Sequence, residues 1–323
     1  QPLLPYESCN LGSVNLAAMV TDGELDWEKL RRAVHLAVRF LDNVIEVNRY
    51  PLPEIAAITR ANRKIGLGVM GFADALILLG VPYNSEEGVR TGEAIMAFVR
   101  READAASAAL ARERGAFLNF KGSALDRPGA SPLRNATVTS IAPTGTISII
   151  AGCSSGIEPL FALAYVRNVL EGTRLLEAHP IFEQVARQKG FYTPELMREV
   201  ARTGSLAHVR DAPEDARRLF VTDFDIVPEW HVRMQAAFQR HVDNSVSKTI
   251  NLPPEASVED VRQSFLMAYR MKCKGITVYR YGSKREQVLY RGGTLRESGE
   301  KVSHVTADSE FSGGCPGGGT CQF

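Results

Sequence analysis

The residues whose spacing carries the most chemistry lie between Asn135 and Ser148, in the run Asn-Ala-Thr-Val-Thr-Ser-Ile-Ala-Pro-Thr-Gly-Thr-Ile-Ser. A β-type stretch, Ala136 to Ile141, ends at Pro143 and passes at once into a turn built from Thr144, Gly145, Thr146 and Ser148. Such a turn suits an anion. The glycine lets the backbone approach closely, and successive N–H groups beside hydroxyls can face phosphate oxygens. No lysine follows the glycine, so this is not the phosphate loop of nucleotide hydrolases. An ordinary strand-to-turn junction accounts for the same residue types and, on those alone, is the simpler reading.

Five cysteines are the second source of chemistry. Cys9 sits between the uncharged Ser8 and Asn10, so no sequence neighbour favours its thiolate, and alone it reads as a packed thiol. Cys315 and Cys321 enclose Pro-Gly-Gly-Gly-Thr near the C-terminus. Two thiols at that spacing on a flexible segment can close a small disulfide ring, whereas a zinc site wants a second pair of ligands. Cys153, in Gly-Cys-Ser-Ser-Gly, and Cys273, at a helix end, read as structural. The odd count and wide spacing argue against a secreted disulfide scaffold and fit a cytoplasmic protein. Gly66-Leu-Gly-Val-Met-Gly71 spells the dinucleotide fingerprint, with Glu86 about twenty residues on. That fingerprint needs a strand before its first glycine and a helix opening at the motif. Here only Ile65 precedes, after the polar Asn62-Arg63-Lys64, so the glycines fall inside a strand that lets other groups come close.

Helices and strands must carry these residues. Asp26 or Asp22 can cap a helix to about Asn48, with Trp27, Leu30, Val34, Ala37, Leu41 and Val44 at helical spacing. Further helices are expected over 54–62, over 72–79 before Gly80, from the Ser85 cap to Arg114 before Gly115, across much of 179–239 with a start at Thr193-Pro194, and from the Ser257 and Asp260 cap to about Lys272. Strands are expected over 65–70, 136–141 and 275–279. Strands alternating with helices predict an α/β fold. Beyond Ser283 the chain is polar and Gly-rich and is expected to be mobile. The 323 residues carry a net charge of +1, with acids and bases interspersed. This speaks against nucleic-acid binding, and no apolar run reaches the ~18 residues of a membrane span. No signal peptide is present, and the missing initiator Met points to a piece of a longer protein.

The Ala142-Pro-Thr-Gly-Thr-Ile-Ser148 loop resembles the substrate-phosphate loop of ribonucleotide reductases, in the form used by the adenosylcobalamin-dependent class. Leu4-Pro-Tyr-Glu-Ser-Cys-Asn-Leu-Gly-Ser-Val-Asn-Leu16 is similar to the segment just after that family's radical cysteine. Asn62 to Asp74, Asp243 to Pro253 and Lys274 to Ser283 are similar to further family blocks, in the family's order. The likeness runs from residue 1 to about Tyr290.

The resemblance implies the second half of a ten-stranded α/β barrel over 1–290 and a flexible cysteine-bearing tail over 291–323. It implies a ribonucleotide substrate, expected as the diphosphate. Pro143, Thr144, Gly145, Thr146 and Ser148 would hold its phosphates, and Asn10, Leu11 and Gly12 would line the sugar pocket. Cys9 would be one of two reducing thiols, in chemistry where a thiyl radical takes the ribose 3′ hydrogen, the 2′ hydroxyl leaves as water and a thiol pair becomes a disulfide. The second thiol and the radical cysteine, carried as Asn-x-Cys-x-Glu, would belong to an N-terminal half, so the isolated chain is expected to be inactive. Cys315 and Cys321 would pass electrons from a thioredoxin-like reductant to the active-site disulfide. Ser13, Asn15, Glu158 and Lys248 lie within family blocks without an expected catalytic role. Arg280 separates Tyr279 from Tyr281, where the two-subunit class carries adjacent tyrosines. This favours adenosylcobalamin as the radical source over a metal-bearing partner subunit. None of the six histidines can be named as a cobalt ligand, no metal site is expected, and a homodimer stays open. The alternatives are the catalytic subunit of a two-subunit metal-dependent reductase, a non-catalytic nucleotide-binding fragment, and a nicotinamide oxidoreductase built on the Gly66 motif.

Overall fold

The computed structural model describes residues 2–168, 174–283, 289–290 and 306–308. In chain order the elements are β1 (Asn10–Asn15), β2 (Val20–Thr21), β3 (Glu24–Leu25), α1 (Trp27–Val47), α2 (Pro53–Asn62), β4 (Ile65–Met70), α3 (Phe72–Leu78), α4 (Glu86–Arg114), α5 (Gly145–Ala151), β5 (Ala164–Asn168), β6 (Arg174–Ala178), α6 (Pro180–Gln188), α7 (Pro194–Thr203), α8 (Glu214–Leu219), α9 (Pro228–Gln239), β7 (Thr249–Leu252), α10 (Val258–Arg270), β8 (Thr277–Arg280), β9 (Leu289–Tyr290) and β10 (Thr306–Asp308).

Parallel pairing joins five separate stretches of sequence into one ribbon. β1 lies parallel to β4, with Asn10 opposite Ile65 and Asn15 opposite Met70. β4 pairs in turn with the extended segment 137–141 through a parallel bridge at Leu67 and Thr139. That segment bridges Val246 from Ile141, and β7 beyond it lies parallel to β8. Parallel strands need helical crossovers, and these helices cover one side. Leu30, Val34, Val38, Leu41 and Ile45 of α1 and Ile95, Met96, Val99 and Ala103 of α4 enclose Ile65, Leu67 and Val69 in the main core. The ribbon is open among the described residues: it is part of a barrel wall, not a closed barrel.

Local signals place the helix ends. The Asp26 carboxylate accepts the Lys29 N–H at 2.8 Å and starts α1. Ser85 accepts from Gly88 N–H to start α4, and Ser257 and Asp260 cap α10 reciprocally. Trp27 departs from its expected core position: it is exposed and stacks on Phe98, while Val38 and Ile45 carry the buried stripe.

A second apolar cluster, around Leu163, Phe182, Val200 and Phe220, binds α6, α7 and α8 to the far side of α3. The antiparallel β5 and β6 lead into it. β10, within the stretch expected to be mobile, pairs parallel with β5 and antiparallel with β9. No described helix is long and apolar enough to cross a membrane.

Candidate active site

The alternation of β1 decides which residues face the open side. Asn10 turns towards α1, where its amide donates to the Leu41 carbonyl at 3.2 Å. A Cβ on Gly12 would meet the Leu41 side chain at 3.4 Å, and Val14 is in the helix-side core. With a side-chain period of two, Leu11 and Ser13 must face the opposite, concave side, and Cys9 precedes them in the same phase. Of the three residues expected to line a sugar pocket, Leu11 alone directs a side chain there; Asn10 and Gly12 offer backbone. Cys9 is exposed and forms no disulfide. The Ser13 hydroxyl is buried without a hydrogen-bond partner on that face, a feature its residue type did not signal.

The glycines of the rejected dinucleotide motif lie where the strand needs them. Gly66 and Gly68 sit inside β4, and a Cβ on Gly68 would come within 2.1 Å of the Ser140 carbonyl oxygen. Close strand approach is their role, and the nicotinamide reading loses its structural context.

The phosphate-loop candidates cluster at the C-terminal end of segment 137–141. The turn leads directly into α5, where the residue types predict only a turn. Thr144 adopts the left-handed conformation, φ 56°, and Ser148 N–H closes onto the Thr144 carbonyl at 2.9 Å. The amides of Gly145 and Ile147 precede that bond and so have no acceptor within the helix. Pro143, Thr146 and Ile147 are exposed, whereas Thr144 and Ser148 are buried. The two buried hydroxyls work inward. Thr144 Oγ1 accepts the Gly156 N–H at 2.7 Å, and Ser148 Oγ lies 2.9 Å from Ser155 Oγ. They shape the loop, while the amides at the start of α5 can meet an anion.

Two charged groups brace the return stretch 153–158. On one side Asp74 accepts the Ser154 N–H at 2.7 Å and pairs with His179 Nε2 at 2.9 Å. On the other, Glu158 accepts the Thr249 N–H at 2.7 Å and the Lys248 ammonium. The Lys248 side chain is fully buried and also reaches His231 Nδ1 at 2.8 Å and the Thr249 carbonyl at 2.6 Å. Asp223 lies 3.7 Å from the far ring nitrogen of His231. Burial pushes Asp223 up to about 7, against the pull of Lys248. Burial, with Lys248 beside it, pushes His231 down to about 2, so that imidazole stays neutral. This cluster was not read from the sequence, because its members are spread over 223–248 and 158 with no motif spacing.

Cys153 lies behind the loop, and burial, reinforced by Asp74, pushes its thiol up to about 11. Cys273 is likewise raised by burial. Both fit the structural role read from sequence. Cys315 and Cys321 lie outside the described residues.

The register fixes how the two halves of the site relate. Asn10 is opposite Ile65, Leu67 is opposite Thr139 and the Ile65 N–H bonds the Thr137 carbonyl, so Cys9 lies beside the start of segment 137–141 while Pro143 follows its end. Cys9 and the loop share one ribbon but stand at opposite ends of it.

The family model for the ribonucleotide reductase barrel domain matches residues 1–131 and 126–279. The chain belongs to the ribonucleotide reductase family. A vitamin B12-dependent ribonucleoside-diphosphate reductase of Mycobacterium tuberculosis (strain CDC 1551 / Oshkosh) is 52% identical over 322 residues, covering 100% of this chain and 45% of its own length. One of the same name from Thermoplasma acidophilum is 51% identical, over 98% of this chain and 43% of its own. A ribonucleoside-diphosphate reductase subunit alpha of Chlamydia pneumoniae is 31% identical over 82% of the chain. The chain therefore spans less than half the length of these two vitamin B12-dependent relatives. A solved class Id ribonucleotide reductase alpha subunit of Actinobacillus ureae superposes with a TM-score of 0.70 at 23% identity, over 85% of this chain and 50% of that one. That likeness supports the α/β reductase-barrel fold.

Proposed function

We propose that this reductase-family chain supplies the phosphate-binding loop and one reducing thiol of an adenosylcobalamin-dependent ribonucleotide reductase acting on ribonucleoside diphosphates. One observation carries the reading: Cys9 and the loop that opens α5 belong to one parallel ribbon, in a chain 52% identical throughout to a reductase named vitamin B12-dependent. The substrate would lie lengthwise along the ribbon's open side. Its phosphates would meet the N–H groups of Gly145 and Ile147 with Thr146 beside them, and its ring would point towards β1. Leu11 and Ser13 line the path between.

Cys9 would give up one thiol hydrogen. A second thiol, from the N-terminal half of the reductase, would give the other, and their sulfurs would join in a disulfide as the ribose loses its 2′ hydroxyl as water. Adenosylcobalamin supplies the radical that starts this chemistry. No residue of this chain is assigned to the cofactor. The tail cysteines Cys315 and Cys321 would return electrons from a thioredoxin-like reductant. A cytoplasmic location and a homodimer complete the proposal.

The test joins this chain to the upstream half of such a reductase and measures deoxyribonucleotide formation. Activity should require adenosylcobalamin and should vanish in Cys9→Ser. Activity that depends instead on a metal-bearing second subunit would favour the two-subunit class. Full activity in Cys9→Ser would overturn the role of that thiol. Changing Cys315 and Cys321 to Ser should spare turnover with small dithiols but remove the thioredoxin-driven reaction.

A further inference from the structure

The segment before β1 is exposed at Leu3, Leu4, Tyr6 and Cys9, yet one charged residue within it is buried. The Glu7 side chain is 1% exposed. Three donors converge on its carboxylate. The Leu4 N–H reaches Oε2 at 2.8 Å, the Asn62 amide reaches Oε1 at 2.7 Å, and the Lys64 ammonium reaches Oε2 at 2.6 Å. The Leu4 bond closes a turn on Glu7 itself, with Glu7 N–H returning to the Leu4 carbonyl at 3.0 Å and Tyr6 held at a positive φ of 61°. The other two bonds tie that turn to the end of α2 and the start of β4. Asn62 is braced from behind by the Asn119 amide at 2.8 Å. Ser8 continues the attachment, its hydroxyl 3.0 Å from that of Thr59. Asn10 then anchors to Leu41. The residues on both sides of Cys9 are thus fastened, and the thiol between them is not.

We propose that Glu7 is a positioning residue for the Cys9 thiol: its carboxylate clamps the preceding turn to Asn62 and Lys64, so that the sulfur stands at one fixed place at the foot of the concave face. This rests on the reading of Cys9 as a reducing thiol. A disulfide forms only when the two Cα atoms come within about 4.4–6.8 Å with the right Cβ directions. A thiol on a loose terminus would meet that geometry only a fraction of the time. A carboxylate suits the task because charge-assisted hydrogen bonds are short and directional, and one carboxylate accepts from several donors at once. Burial alone would push the Glu7 pKa up, but Lys64, the Leu4 amide and Asn62 together outweigh it and hold the carboxyl below its ordinary range. The clamp is therefore charged at neutral pH.

The test uses two readouts. In this chain, hydrogen exchange of the peptide 2–9 is compared with that of β1. Glu7→Gln should speed exchange in 2–9 by about tenfold, as expected for a lost charge-assisted bond, and leave β1 within twofold. Lys64→Met gives a second variant if Glu7→Gln folds poorly. In the chain joined to its upstream half, Glu7→Gln should lower kcat by about tenfold with KM for the ribonucleotide unchanged. Lys64→Arg, which keeps a cation against the Glu7 carboxylate, should leave both readouts near their parent values, whereas Lys64→Met should move both in the direction of Glu7→Gln. Unchanged exchange and kcat in Glu7→Gln, or Lys64→Arg behaving like Lys64→Met, would overturn the clamp. Cys9→Ser separates the two ideas. Retained turnover there defeats the redox role of Cys9, whereas lost turnover there beside normal Glu7→Gln kinetics defeats the clamp alone.

Discussion

The Thr144 loop and Cys9 belong to the same parallel ribbon but have differently built surroundings. The Thr144 loop is backed by ionised or polar side chains from α3, α9 and the start of β7, most of them fully buried. Cys9 precedes a strand with one described neighbour, β4, and a few contacts of Glu7, Ser8 and Asn10 fix its height. An anion-binding loop works through backbone amides whose directions must be set before the ligand arrives, so rigid backing is worth the cost of burying charge. A redox thiol must meet a second sulfur and then be reached by a reductant, so it needs a fixed base and an open side.

The largest test of that contrast is Lys248→Met. It strands Glu158 next to a neutral His231 and should destabilise the chain by about 3 kcal/mol, reduced from the full cost of breaking a buried pair because Glu158 is partly exposed. The same exchange at Lys64 leaves the buried Glu7 carboxylate with the Leu4 and Asn62 donors still in place and should cost less, about 2 kcal/mol. Urea unfolding of the two variants checks the ratio; equal losses would erase the distinction between the regions.

A pH series sharpens it. The folded state keeps His231 neutral down to about 2, while the unfolded chain takes up that proton below about 6.5, so this residue lowers stability as pH falls from 6.5. Asp223 acts oppositely: the folded state holds its proton up to about 7, so it lowers stability as pH rises from about 4 to 7. Removing one should expose the other. Asp223→Asn should gain about 2 kcal/mol between pH 4 and 6.5, and His231→Gln should lose a similar amount over the same span. Parallel pH profiles for both variants would show that the cluster does not titrate in this way.

Smaller effects follow. Thr144→Val keeps the shape but leaves the Gly156 N–H without its acceptor, at a cost of about 1–2 kcal/mol in urea unfolding. Cys9→Ser touches no buried contact and should change stability by less than about 0.5 kcal/mol. A large loss there would mean that the thiol is packed, as its residue type alone suggests.

Much of the helical framework could be read in advance because its signals are local. Asp26, Ser85, Thr193 and Ser257 lie one residue before their helices and bond to amides three residues on, and Gly115 closes α4. The strands were less legible. β1 is Asn-Leu-Gly-Ser-Val-Asn, with no apolar run, because one side of it meets α1 through Asn10, Gly12 and Val14 and the other faces open space. The antiparallel β5 and β6 lie before the expected helical stretch that begins at His179, where no strand is expected.

By itself, the order of residues determined where the helices begin, that Gly66 and Gly68 lie within a strand, and which reductase blocks the chain carries. Those properties depend on neighbours a few positions apart or on long motifs. The buried partnership of Glu158, Lys248, His231 and Asp223, the grip of Lys64 on Glu7, and the distance between Cys9 and the loop were decided only in three dimensions. Each depends on parallel strands from distant parts of the chain settling into one register, and a register is chosen by packing across the whole ribbon rather than by any single segment.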